Sequence, residues 1–261
     1  AKWPTPRNRF STACDGAVPP WAAPIVLRGI LFGEADDERR LRLVRLIMSY
    51  PASGERKLMA PLKIGVLLSG SGSNLQAIID AIAAGRLNAE IRVVISSRPD
   101  AYGLVRAKEA GIQTIALSKD VYADYDMANE AIAAELVRAG CEYVVMAGYM
   151  RMVTDPILMA FPDRVLNLHP ALLPSFKGAH AIQDAFEAGV KVTGVTVHFA
   201  NAEYDKGPIV AQRAVEVAED DTLETLEEKI HAVEHQVYPE VLQMIAEGRV
   251  TVGDDRKVHI S

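Results

Sequence analysis

The hydrophobic and polar positions of this chain change character at residue 63, where short β-branched runs begin to alternate with longer segments of helical spacing. Short apolar runs bounded by turn residues predict strands, here at 63–68, 91–96, 113–117, 143–147, 165–169, 192–199 and 209–217. Apolar residues three and four apart predict helices at 74–84, 103–110, 124–139, 179–188 and 223–246. Pro239 is expected to kink or divide the last helix.

This alternation of strands and helices predicts an α/β fold with a Rossmann-like, mostly parallel sheet flanked by helices. In open sheets of this class, ligands bind at the carboxyl ends of the strands. Polar motifs that directly follow a predicted strand are therefore the first candidates for a functional site.

Residues 1–58 have a different pattern, because repeated prolines break any regular spacing and only 35–49 suggests a helix. We expect an extension that is disordered or a mis-set start, with Met59 as the native first residue, and one folded domain over 59–261. A targeting segment is the alternative. The arginines at 39–45 resemble a transit helix, but the acidic residues at 36–38 do not.

Composition and charge narrow the choice of partners. The chain has 261 residues and is 49% hydrophobic, which is enough for one core. Residues 1–58 hold 10 basic and 6 acidic side chains, whereas 59–261 hold 18 and 28, so the folded part is acidic. Nucleic acids are bound largely by basic side chains, and an acidic body therefore argues against a nucleic acid partner.

Two further features favour a soluble protein of a reducing compartment, with the cytoplasm as the expected location. No apolar stretch reaches the roughly 20 residues that a membrane-spanning helix needs, so we expect no membrane partner. Cys14 and Cys141 are too few for a disulfide framework and lack the paired spacing of a zinc site.

A glycine-rich turn follows the first predicted strand, with the sequence Ser-Gly-Ser-Gly-Ser-Asn-Leu-Gln at 69–76. Glycines let backbone amides approach a ligand, and the start of the next helix offers free N–H groups to an anion. A dinucleotide fingerprint would have a small residue in place of Leu75 and an acid after the second strand. The pattern therefore favours a phosphate monoester over NAD, and an ordinary capped turn remains the alternative.

Asn167 and His169 are the candidates for chemistry on the predicted strand 165–169. They are two residues apart, so their side chains leave the same face, and Pro170 ends the strand. Asp205 lies in a predicted loop from which a carboxylate could reach that strand end. The alternatives are a structural histidine and a solvated loop acid. Together, an amide, an imidazole and a carboxylate can polarise a carbonyl and move a proton, as acyl transfer to an amine requires.

At these motifs the chain resembles the phosphoribosylglycinamide formyltransferase family, the folate-dependent transferases of purine biosynthesis, over roughly 63–250. The turn 69–76 resembles the family's phosphate loop, 150–153 its folate-contacting segment, and 167–174 its catalytic strand. The segments 197–199 and 204–208 are similar to the part that carries the family's aspartate. Glu234 and His235 resemble its second ribonucleotide-binding element.

The resemblance implies a formyltransferase-type fold and a role for each matching residue. Formyl transfer from 10-formyltetrahydrofolate to 5'-phosphoribosylglycinamide is the implied reaction, with small-molecule substrates, no metal and no nicotinamide. A protonated His169 is expected to stabilise the oxyanion with Asn167, while Asp205 favours the charged ring and relays the proton. The implied residues are catalytic Asn167, His169 and Asp205; ribonucleotide-binding Gly72, Ser73, Asn74 and Glu234; and folate-binding Met150, Arg151, Met152, Val153 and Asn167.

One departure concerns the folate tail. The family often has an arginine in the segment that corresponds to 122–126, and the aligned place here is Tyr122, with Lys119 as a possible substitute.

The remaining histidines are expected to be structural. His180 is expected at a helix start and His198 within a strand, and no histidine has metal-site spacing.

Three alternatives to this function stay open. A formyltetrahydrofolate deformylase would use water as the acceptor, and a catalytically silent nucleotide-binding sensor would keep the fold without the chemistry. A methionyl-tRNA formyltransferase is disfavoured by the acidic body and by the short stretch after residue 250. Monomer and homodimer are both compatible with the sequence.

Overall fold

The computed structural model describes residues 60–118 and 120–261, all of which belong to one compact unit. The strands are β1 (Leu62–Leu68), β2 (Ala89–Ser96), β3 (Thr114–Ala116), β4 (Tyr143–Met146), β5 (Val165–His169), β6 (Val192–Phe199), β7 (Ile209–Glu216), β8 (Val250–Val252) and β9 (Val258–Ile260). The helices are α1 (Ser73–Ala83), α2 (Tyr102–Glu109), α3 (Tyr125–Arg138), α4 (Asp155–Ala160), α5 (Ala181–Glu187) and α6 (Leu223–Ala246), with a 3-10 turn at Val121–Ala123.

Seven strands form the central sheet in the order β3-β2-β1-β4-β5-β6-β7. The pairs from β3 to β5 are parallel, and β6 pairs antiparallel with both β5 and β7. The predicted mostly parallel sheet is confirmed. The strand order reverses between β1 and β4, which makes this the switch point where open sheets bind ligands.

The core lies on both faces of the central strands. β1 and β4 are buried almost throughout, as expected for parallel strands covered by helices on both sides. Helix α6 packs across α1, β6 and β7 and contributes a row of fully buried side chains. This packing holds the ends of the central strands in fixed positions.

Most predicted elements are confirmed to within one or two residues. The prediction that Pro239 could divide the last helix is wrong, because α6 runs for 24 residues with Pro239 inside it. Pro239 is buried in the packed face, so tertiary burial offsets the backbone hydrogen bond that proline cannot make. The pattern missed α4 and the two-stranded sheet of β8 and β9, which are too short to show a period.

Some predictions fall on residues outside the described ranges. Three of them stay predictions: the helix at 35–49, the extension 1–58, and the substitution of Lys119 for the family's folate-tail arginine.

Within residues 60–118 and 120–261, none of the helices combines the length and apolar character needed to cross a membrane.

A single hydroxyl from α6 reaches between two central strands. The fully buried Tyr238 hydroxyl lies 3.0 Å from the carbonyl oxygen of Met146 and 3.1 Å from that of Leu166. Carbonyl oxygens only accept, so the Tyr238 hydroxyl donates to this pair. Its contact ties α6 to the last residue of β4 and to the second residue of β5, directly before Asn167.

We predict that Tyr238→Phe lowers the free energy of unfolding by about 1 to 3 kcal/mol, because it removes a donor from two buried carbonyls. Urea denaturation followed by circular dichroism measures the change. Tyr102→Phe is the matched control, since the Tyr102 side chain is 53% exposed, and it should stay within about 0.5 kcal/mol of the wild type. Equal losses in the two variants would contradict the role given to Tyr238.

Candidate active site

The glycine-rich turn after β1 is shaped by the close approach of two glycines. Gly72 precedes α1 with a left-handed φ of 71°. A Cβ added to Gly72 would lie 2.5 Å from the Cα of Gly103 in α2, a distance that no side chain allows. The amide of Gly103 donates to the carbonyl of Gly70 at 3.1 Å. The turn therefore lies directly on α2, with Ser73 as the first residue of α1.

Arg106 brings a positive charge to the same turn. Its Nε donates to the carbonyl of Ser71 at 2.9 Å, and its guanidinium also donates to the side chain of Gln76 at 3.1 Å. The free amides at the start of α1 add partial positive charge. Sequence reasoning missed Arg106, because nothing in the linear pattern connects α2 to a turn 35 positions earlier.

Asn74 and Glu234 meet on the helix side of this turn, as the resemblance implied. Asn74 Nδ2 donates to Glu234 Oε2 at 2.9 Å, and both residues are buried. His231 Nδ1 lies 3.0 Å from the same carboxylate oxygen. This hydrogen bond raises the pKa of His231 above its ordinary value despite the burial of the ring.

Asn74 also has an unused acceptor. Its Oδ1 atom is buried and has no hydrogen-bond partner within the part of the chain that the structure describes. The bond from Nδ2 to Glu234 fixes the orientation of the amide. Since buried polar atoms are normally paired, this oxygen fits a ligand that supplies a hydroxyl or another N–H group.

Asn167 and His169 lie near the end of β5, with Asp205 beside them, so the structure brings the three predicted residues together. His169 Nδ1 is 3.6 Å from Asp205 Oδ2, and only 5% and 2% of the two side chains are exposed. His169 Nε2 is 2.7 Å from the carbonyl oxygen of Phe176. That oxygen can only accept, so Nε2 carries a proton and Nδ1 faces the carboxylate.

Asp205 lies in the loop between β6 and β7 and has an unusual positive φ of 51°. Its Oδ2 accepts from the backbone amide of Gly178 at 2.9 Å, and its Oδ1 is 3.7 Å from His198 Nε2. Burial alone would raise the pKa of Asp205. The pKa is nevertheless lowered overall, because His198, the Gly178 amide and His169 all favour the charged carboxylate.

His198 was expected only to pack within a strand. It is buried in β6, but it also lies 3.1 Å from Asn167 Nδ2 and directly faces Asn167 in the antiparallel register. His198 Nδ1 donates to the carbonyl of Phe199 at 3.0 Å, which leaves Nε2 to face Asn167 and Asp205. The pairing of β5 with β6 was the missing information, because it alone aligns His198 with Asn167.

Burial affects the protonation of His169. Burial lowers the pKa of His169 below its ordinary value of 6.5, although the Phe176 carbonyl and Asp205 oppose this change. Burial therefore favours the neutral form of the ring more than in an exposed histidine, and the protonated form expected during the reaction stays a prediction. A proton that reaches Nδ1 would face Asp205, so the site is arranged to stabilise the charged ring once it forms.

The predicted folate segment follows β4 on the other side of the switch point. The side chains of Met150 and Met152 are 63% and 56% exposed, so they present apolar surface. Arg151 lies over the ring of Tyr122, 5.2 Å from its centroid, and the Tyr122 hydroxyl is 3.1 Å from that of Tyr149. Tyr122 thus packs against this segment, which continues through Val153.

The segment is anchored from α3. Buried Asn129 donates from Nδ2 to the carbonyl of Met152 at 3.2 Å, and its Oδ1 accepts from the amide of Thr154 at 3.0 Å.

His180 precedes α5, as expected. In the described residues, no group of three or more His, Cys, Asp or Glu side chains has a metal-binding arrangement.

All of these groups lie at the carboxyl edge of the parallel strands. β1 and β5 both border β4, so the glycine-rich turn and the strand end with Asn167 and His169 are about 10 Å apart across the sheet. A turn with free amides on one side and an imidazole with a carboxylate on the other are chemically suited to hold a phosphorylated amine close to a carbonyl carbon.

The formyl transferase family model matches residues 62–242. The chain is 43% identical to the phosphoribosylglycinamide formyltransferase of Haemophilus influenzae over 194 residues, 74% of this chain and 91% of that protein. Among solved structures, the crystal structure of glycinamide ribonucleotide transformylase 1 from Symbiobacterium toebii superposes with a TM-score of 0.75 and has 48% sequence identity. The superposition covers 80% of this chain and 99% of that protein.

Larger relatives contain a similar region. The chain is 40% identical over 241 residues to the human trifunctional purine biosynthetic protein adenosine-3, which is 88% of this chain but 24% of that protein. The chain thus spans about a quarter of the length of this relative.

The family model matches most of the chain, and the chain covers the smaller relatives almost fully. The chain therefore belongs to the formyl transferase family, within its phosphoribosylglycinamide formyltransferase branch.

Proposed function

We propose that this enzyme transfers a formyl group from 10-formyltetrahydrofolate to the amine of 5'-phosphoribosylglycinamide in de novo purine biosynthesis. The observation that carries the proposal is the approach of His169 Nδ1, at the end of β5, to Asp205 of the loop between β6 and β7, one strand away from the switch point and its glycine-rich turn. The identity to transferases of this name over nearly their whole length supports it.

The ribonucleotide binds at the turn between β1 and α1. Its phosphate contacts the backbone amides of Gly72, Ser73 and Asn74, where the start of α1 favours an anion. Glu234 holds Asn74 from α6 and is available to a sugar hydroxyl. The unpaired, buried Asn74 Oδ1 supports this placement, because a ribose hydroxyl would donate to it.

The folate binds along the segment after β4. Met150, Met152 and Val153 provide apolar walls for the pterin, and backbone groups of this segment are available for its polar edge. Arg151 lies beside Tyr122 at the place where the family often has an arginine for the folate tail. The formyl group then points toward Asn167 and His169, which follow on the neighbouring strand.

The chemistry starts with the neutral amine, which attacks the formyl carbon and forms a new C–N bond. Asn167 Nδ2 donates to the oxygen as it gains negative charge. His169 Nδ1 accepts the proton that the attacking nitrogen loses, and Asp205 stabilises the resulting imidazolium. The proton then passes to the folate nitrogen as its bond to the formyl carbon breaks.

The cytoplasm is the proposed location, and the 10-formyltetrahydrofolate co-substrate requires no metal in this scheme. Burial raises the pKa of Cys141 to about 12, which keeps this thiol protonated and unreactive.

With both substrates present, we predict formation of one formylated ribonucleotide for each tetrahydrofolate, because the site holds an amine acceptor beside the formyl carbon. Mass spectrometry of the ribonucleotide and a formate assay measure the two products. Release of formate without formylated ribonucleotide would favour the deformylase alternative, and binding without turnover would favour the sensor.

A chain that begins at Met59 has the same rate if residues 1–58 take no part in catalysis.

We predict that His169→Ala and Asp205→Asn each lower kcat by about 100-fold to 1000-fold, because they remove the proton acceptor and the charge that stabilises it. Steady-state kinetics measures kcat, and calorimetry checks that ribonucleotide affinity is nearly unchanged. His259→Ala is the matched control, because the side chain of His259 is 65% exposed and lies on β9. Near-wild-type turnover in either active-site variant would refute these roles.

The lowered pKa of His169 can be measured directly. We predict that nitrogen NMR places the pKa of His169 below 6.5 in the free protein, because burial disfavours the charged ring. Asp205→Asn should lower this pKa further, since it removes a negative charge that favours the imidazolium. A pKa above 6.5, or a pKa that rises in the variant, would contradict this assignment.

A further inference from the structure

Ser69 joins the two proposed substrate segments, yet it has no role in the chemistry described above. Its side chain is buried directly after β1, as the first residue of the glycine-rich turn 69–76. Ser69 Oγ accepts from the backbone amide of Met150 at 2.9 Å, and the amide of Ser69 donates to the carbonyl of Gly148 at 3.0 Å. Ser69 is thus bonded once to the folate segment, at Met150, and once to Gly148, two residues before that segment.

A second buried hydroxyl completes this contact. Ser97 Oγ, at the end of β2, lies 2.6 Å from Ser69 Oγ. Because one lone pair of Ser69 Oγ takes the Met150 amide, the Ser69 hydroxyl can donate to Ser97, which fixes its rotation. Ser97 therefore orients Ser69 Oγ, whereas Ser69 Oγ itself contacts the folate segment.

The other anchors of the two segments lie on different helices. Gly103 and Arg106 hold the turn from α2, and Asn129 holds the folate segment from α3. These anchors position each segment separately. Ser69 instead connects the turn after β1 to the segment after β4, across the switch point. A shift of one segment against the other at this place changes the distance between the two substrates.

We propose that Ser69 is a positioning residue that sets the spacing between the ribonucleotide and the folate. This inference rests on the proposed function, because it assigns one substrate to each segment. Bimolecular steps within an enzyme depend steeply on alignment, and a shift of about 1 Å can reduce the rate by about 100-fold. A hydroxyl that bonds directly to Met150 is well placed to prevent such a shift.

The test is Ser69→Ala, with steady-state constants for both substrates. The Met150 amide loses its acceptor, so we expect the folate KM to rise by roughly 10-fold and kcat to fall by roughly 10-fold. The ribonucleotide KM should stay within about 2-fold, because Gly103 and Arg106 still hold the turn. A loss of general stability would not separate the two KM values in this way.

Ser97→Ala is the matched control. It removes an equally buried hydroxyl and the same Ser–Ser hydrogen bond, but it leaves Ser69 Oγ in contact with the Met150 amide. We expect its folate KM within about 3-fold of the wild type. If Ser69→Ala does not fold, Ser69→Cys keeps a side chain of similar shape with a weaker acceptor, and it should change the same constants in the same direction.

Three results would overturn the inference: unchanged constants in Ser69→Ala, an equal rise of both KM values, or an effect of Ser97→Ala as large as that of Ser69→Ala. In each case the wild type still transfers formyl, so the proposed function stands. Failure of the wild type to transfer formyl would overturn the proposed function, and with it the substrate assignment on which Ser69 depends.

Discussion

The buried carboxylate of Asp205 is the interaction on which the site depends. Its oxygens accept from the amide of Gly178 and lie beside His169 and His198, and its pKa is lowered despite its burial. These groups come from β5, β6 and the loop after β5. An unpaired carboxylate at this depth would be strongly destabilising. The positions of the two histidines and of both loops are therefore linked to a single side chain with a left-handed backbone.

In the proposed mechanism, this arrangement places a neutral base beside a fixed negative charge. Burial lowers the pKa of His169, so that its Nδ1 is free to take a proton, while the same cavity keeps the pKa of Asp205 low through hydrogen bonds. The imidazolium that forms during the reaction then has a charged partner already in place. Little reorganisation is needed at that moment, which is the advantage of a preorganised site.

Sequence reasoning predicted the parts of the site that depend on local pattern. Asn167 and His169 were identifiable because alternate residues of a strand share a face, and Gly72 because a strand runs into a glycine-rich helix start. Glu234 followed from the family resemblance. These predictions needed no knowledge of which strands pair with which.

The contacts that sequence reasoning missed all depend on topology. His198 reaches Asn167 only because β6 pairs antiparallel with β5, and Arg106 reaches Ser71 only because α2 packs against the turn. The lowered pKa of His169 could not be predicted for a related reason, since it is set by burial among segments distant in sequence. Periodicity locates elements, but it does not say how deeply a side chain lies or what surrounds it.

Helix α6 has a consequence of another kind. Glu234 and Tyr238 are one helical turn apart on it, so the residue that holds Asn74 and the hydroxyl that joins β4 to β5 belong to one rigid rod. Under the proposed substrate placement, a small rotation of α6 would move the group beside the ribose and the backbone of β4 and β5 together. A substitution that shifts this helix should therefore disturb both halves of the site at once.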